Sequence, residues 1–91
     1  MPQPAVSHDV LIHDAHAPSR LGLGVLLRAQ PWVGRCHLAG DLSTAVGLAR
    51  THRPSVAVVD VSSAGGFAGH HCDALRRVHT TLAIVLTARC G

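Results

Sequence analysis

A chain of 91 residues can build one domain around a single core and is too short for a two-domain enzyme. Apolar residues make up 47% of it and charged residues 14%, a balance that excludes a highly charged, disordered segment. The net charge of +3 comes from scattered arginines, and with only Trp32 and Phe67 as large aromatics the chain lacks the clustered basic footprint of nucleic-acid binding.

Residues 1–7 read as a disordered tail, and 8–91 as one partial domain. Val10–Ile12, bounded by His8-Asp9 and His13-Asp14, predicts a short strand over about 9–13, buried on both faces. Pro18-Ser19 opens a helix that runs to about Gln30, with Leu21, Leu23, Val25, Leu26 and Leu27 as its apolar set. Gly22 and Gly24 in it read as sites of close helix-to-sheet packing. Residues 34–39 alternate weakly and predict an edge strand with a polar face. Asp41 caps a second helix whose stripe is Leu42, Ala45, Val46 and Ala49, ending before Pro54.

The run from Val56 to Val61 is β-branched and continuous, as in the centre of a parallel sheet. Ser62–Gly69 is read as a loop, 70–78 as a third helix facing inward through Ala74, Leu75 and Val78, and Leu82–Leu86 as the last strand. This β-α-β-α-β-α-β order implies an α/β fold: a doubly wound parallel sheet with helices on both faces.

Chemistry is limited by what is missing. Every basic residue is Arg and every acidic one is Asp, so Schiff-base chemistry at Lys and acid/base catalysis at Glu are excluded. Cys36, Cys72 and Cys90 are odd in number and widely spaced, and the N-terminus has neither a charged nor a long apolar segment, which points to a reduced, cytoplasmic protein. No stretch approaches the length of a membrane span. His13, His16, Cys36-His37 and His70-His71-Cys72 offer metal donors without paired spacing, and the histidines read mainly as exposed surface positions. Gly65-Gly66-x-x-Gly69 does not match a dinucleotide loop, and Cys72 beside His71 is not a facing pair on a helix.

In open parallel sheets the functional crevice lies at the carboxyl ends of the strands. Asp14, Asp60 and Thr87 fall there. An Asp just past a strand is often only a turn-former, but two carboxylates and a hydroxyl at equivalent strand ends suit a hard cation and a phosphoryl group.

These residues, with Val10-Leu-Ile-His-Asp14-Ala-His16, Arg20, Gly22-Leu23, Ala39-Gly40-Asp41, Arg53-Pro54 and Ile84-Val-Leu-Thr87-Ala88, resemble in order and spacing a known family. It is the receiver domain of bacterial two-component response regulators, in the subgroup with a helix-turn-helix output. The resemblance spans about residues 9–89. It implies a flavodoxin-like receiver fold and a phosphate switch rather than an enzyme. A histidine kinase would phosphorylate Asp60, Asp14 and Asp60 would hold Mg2+, and Thr87 would be the switch hydroxyl. The departures are specific. Ala15 stands where the family has a second acid, which makes Mg2+ binding weak or absent. The loop after Asp60 lacks its usual Pro and acid, and the last helix-strand-helix portion, with its lysine, is missing. The alternative is a degenerate receiver that takes no phosphoryl group and acts as an interaction or dimerisation module. The uncovered edge of the last strand leads us to expect a homodimer or swapped dimer through it, and no DNA binding by this chain.

Overall fold

A computed structural model describes residues 7–62 and 67–88. The elements run β1 (His8–His13), α1 (Ala17–Arg28), β2 (Val33–Ala39), α2 (Leu42–His52), β3 (Val56–Asp60), α3 (Ala68–Val78) and β4 (Ala83–Thr87). All strand pairs are parallel and the sheet order is β2-β1-β3-β4. The chain is therefore α/β, and its described residues are compatible with the first four strands of a flavodoxin-like fold, which orders its strands 2-1-3-4-5.

Alternation along the strands sorts side chains onto two faces. On one face Leu11, Ala39, Ala57 and Val59 meet Ala45 and Ala49 of α2, Leu75 of α3 and Leu82, all buried. The other face of β1 and β2 is covered by α1, where a Cβ on Gly24 would touch Leu38 Cδ2 at 3.5 Å. That contact bears out close packing at Gly24. Gly22 is exposed with nothing near its missing Cβ, so its reading as a packing site is corrected.

Helix α1 differs from expectation in a second way. Of its apolar set, Leu21, Val25 and Leu26 are exposed, because only one side of the helix lies on the sheet and no described element covers the other. It begins one residue before Pro18 and ends at Arg28. His16 is its N-cap: Nδ1 accepts from the Ser19 amide at 3.3 Å and lies 2.6 Å from Ser19 Oγ. Asp41 caps α2 as expected, accepting from the Thr44 amide at 2.7 Å. That bond holds the Asp41 carboxyl below its ordinary value.

Strand β1 starts at His8, β3 ends at Asp60 rather than Val61, and β4 is shifted one residue along to Ala83–Thr87. Helix α3 begins at Ala68, so Gly69 is helical and the loop expected through it is shorter. Residues 63–66 of that loop, residues 1–6 of the tail, and Cys90 lie outside the described residues. Among the described residues, strand β2 forms one edge of the sheet and β4 the other. No described helix is long and apolar enough to cross a membrane.

The expectation that the histidines are surface residues is overturned at two positions. His13 is 1% and His79 7% exposed. His79 joins α3 to the start of β3: Nε2 donates to the Pro54 carbonyl at 2.7 Å, which leaves Nδ1 to accept from Arg53 Nη2 at 3.3 Å. Arg53 in turn donates through Nη1 to the Val78 carbonyl at 3.2 Å and closes α2 in the left-handed region, at φ 45°. These contacts satisfy polar groups that burial would otherwise leave without partners.

Candidate functional site

The carboxyl edge of the sheet brings the three sequence-derived residues to one level. His13 is in register with Val59, so Asp14 and Asp60 each follow a paired position on adjacent strands, and Asp60 is in register with Thr87. Strand spacing of about 4.8 Å sets the scale of this row. Asp14 is 3% and Asp60 2% exposed, and Thr87 is half-buried. The Val61 amide donates to the Thr87 carbonyl at 2.8 Å, extending the β3–β4 ladder past Asp60.

Asp14 is fixed from several sides. Its amide donates to the Ala39 carbonyl at 3.0 Å, and its Oδ1 accepts from the His16 amide at 2.9 Å. Its carbonyl accepts from Arg20 Nη1 at 2.8 Å. Arg20 reaches that carbonyl across Gly40, where a Cβ would stand only 2.8 Å from Nη1. Gly40 is therefore an opening for the guanidinium. Asp14 forms a turn, as the plain reading of an Asp past a strand holds, and its carboxyl group is also buried beside Asp60's strand.

Sequence reasoning gave no role to the pair that adjoins this row. His13 Nε2 lies 3.0 Å from His71 Nδ1, with ring centroids 5.1 Å apart and planes within 17°. Rings that far apart, nearly parallel and joined through facing nitrogens, are hydrogen-bonded edge to edge and not stacked face to face. Burial pushes the His13 imidazole below its ordinary value, with the Ala39 carbonyl partly opposing this. Nδ1 of His13 is buried without a hydrogen-bond partner. Alternation from Leu11 places His13 inward, and the four-residue spacing to Leu75 places His71 on the buried side of α3. Those were the available signals. Arg20 was singled out only as part of the resemblance, and its bond to the Asp14 carbonyl had no signal because it depends on the opening at Gly40.

The remaining histidine contacts lie elsewhere. His37 Nε2 is 2.9 Å from Asp9 Oδ2, and its ring stacks on His52 at 4.1 Å between centroids. Among the described residues no group of three or more His, Cys, Asp or Glu side chains could hold a metal ion, so the scattered His and Cys donors do not assemble into a zinc-type site. Magnesium asks for less, since one or two carboxylates, waters and a substrate phosphate satisfy it. Asp14 and Asp60 supply oxygen donors of that kind, and Ala15 adds none. A scan against protein-family models and a search of curated proteins both find no match to this chain.

Proposed function

We propose that this chain is a receiver-type signalling domain of a bacterial two-component system, working in the cytoplasm, in which Asp60 accepts a phosphoryl group from a histidine kinase to control a transcriptional output. The observation that carries this reading is the row Asp14, Asp60, Thr87 at the carboxyl ends of β1, β3 and β4, with both carboxylates buried. A carboxylate oxygen of Asp60 attacks phosphorus as the P–N bond to the kinase's imidazole breaks. The departing imidazole nitrogen takes a proton from solvent. Asp14 and Asp60 would hold Mg2+, which when bound neutralises charge on the transferring group.

Thr87, in register with Asp60 on β4, offers a hydroxyl donor to a phosphoryl oxygen. Engaging that hydroxyl draws the end of β4 toward Asp60 and shifts a two-state equilibrium. The chain is thus a switch and not an enzyme. A second reading, a degenerate receiver that works by binding alone, is favoured by one observation: Ala15 leaves two carboxylates where the family has three. Intact mass after incubation with acetyl phosphate separates them. A single phosphoryl gain that needs magnesium and is lost in Asp60→Asn supports the switch; no gain in a folded sample supports the binding module.

A further inference from the structure

The phosphate switch leaves the facing imidazoles of His13 and His71 unused. Their nitrogens are 3.0 Å apart, the ring planes lie within 17° and the ring centres are 5.1 Å apart. The centres are thus separated by the nitrogen gap plus about one ring radius on each side, so both nitrogens lie close to the line between them. A hydrogen bond accounts for this arrangement with a single proton between the rings, and it leaves His13 Nδ1 buried without a partner. Orphaned polar atoms are rare inside proteins, and a bound ion is one of the few things that accounts for them. We propose that His13 Nε2 and His71 Nδ1 together bind copper in its monovalent state, Cu(I), as a linear two-coordinate site.

The number of donors selects the metal. Zinc asks for four ligands and Cu(II) for a tetragonal set, whereas among the described residues no third His, Cys, Asp or Glu joins a group that could hold a metal ion. Cu(I) has a filled d shell and is satisfied by two nitrogens opposite one another, as facing, nearly coplanar imidazoles present them. Metal–imidazole bonds are about 2 Å long, so the nitrogens part by about 1 Å on binding. His13 is held in β1 at 1% exposure, while His71 is half-buried near the start of α3, so the movement falls on His71.

The surroundings suit a single positive charge. Both rings are neutral ligands, and the carboxylates of Asp41, at the cap of α2, and of Asp14 act on the His13 ring. Ligation at Nε2 also fixes the His13 proton on Nδ1, with the nearby Ala39 carbonyl as its acceptor, an arrangement usual for a metal-bound histidine. The other imidazole groupings lack this geometry. His37 is engaged by Asp9 through Nε2 and stacks face to face on His52, and His70 meets His71 edge-on with centres 6.3 Å apart. The site does not depend on phosphorylation of Asp60.

Thiols compete for Cu(I), so the test uses the full chain with Cys36, Cys72 and Cys90 changed to Ser. Anaerobic titration with Cu(I) against a chromogenic Cu(I) chelator is expected to show one ion per chain, and X-ray absorption a linear site of two nitrogens. His71→Gln is expected to weaken binding by about tenfold or more with the circular dichroism unchanged, and His70→Gln to leave it as it is. No binding by a folded sample, equal affinity in His71→Gln, or a site of three or more ligands would overturn the proposal. Nitrogen-15 spectra of the unaltered chain, given Cu(I) beyond what its thiols take up, supply a second reading without the Cys changes. Ligation shifts are expected at His13 Nε2 and His71 Nδ1, and shifts confined to other histidines would reject the assignment.

Discussion

Gly40 and Arg20 form the most tightly constrained contact at the candidate site, and Gly40→Ala tests it. A Cβ at this position would lie 2.8 Å from Arg20 Nη1 and 3.5 Å from Cζ. The obstructed group is the end of a flexible side chain, so the guanidinium moves and the backbone stays. Its displacement breaks the 2.8 Å bond to the Asp14 carbonyl. A hydrogen bond from a charged donor contributes about 1.5–3 kcal/mol. The added methyl restricts the unfolded chain and offsets about 0.4–1 kcal/mol of that loss. The net expectation is a destabilisation of about 1–2 kcal/mol, measured by urea denaturation. Arg20→Met removes the same bond. In the Arg20→Met background, Gly40→Ala should therefore be neutral or slightly stabilising. Additive losses in the double variant would refute the reasoning, because they would mean that Gly40 serves something other than the passage of Arg20.

Three further outcomes follow from the packing and the charges. Leu75→Ala should cost about 2–5 kcal/mol by urea denaturation, because Leu75 is fully buried in the core cluster and its truncation leaves a cavity there. A loss under about 1 kcal/mol would show that α3 is not held by this core. His13 has a folded-state value lowered below 6.5, so the unfolded chain takes up a proton first as pH falls. Stability should therefore decline with falling pH from about 6.5 until the folded value is reached, and His13→Leu should flatten that slope in a pH series of melting curves. Asp9 is held below its ordinary 3.8 chiefly by the hydrogen bond to His37. Its contribution is present above that value and disappears as pH falls through the lower folded one. Asp9→Asn should then cost under about 1 kcal/mol at pH 7, the scale of a partly exposed pair, and nothing in strong acid.

All seven elements, their order and the edge position of β2 were legible because each carries a local signal. The β-branched run at Val56, the Asp41 cap and the stripe Ala45-Ala49 all act within a few residues. The outward face of α1 was not legible: Leu21, Val25 and Leu26 look like core residues, and only the placement of the other elements leaves them uncovered. At the site, Asp14, Asp60 and Thr87 were readable from their places at strand ends. The neighbours that hold and flank them, Arg20 over Gly40 and His71 on His13, join positions 20 and 58 residues apart, and such long-range contacts leave little trace in a single sequence.

Chemical mapping of the phosphoacceptor tests the central claim most directly. Borohydride reduces an acyl phosphate to an alcohol, so a phosphorylated Asp60 becomes homoserine, and peptide mass spectrometry locates it. After treatment with acetyl phosphate and magnesium, homoserine is expected at position 60 and at none of Asp9, Asp14, Asp41 or Asp73. Homoserine at another aspartate, or at none in a folded sample, would contradict the account.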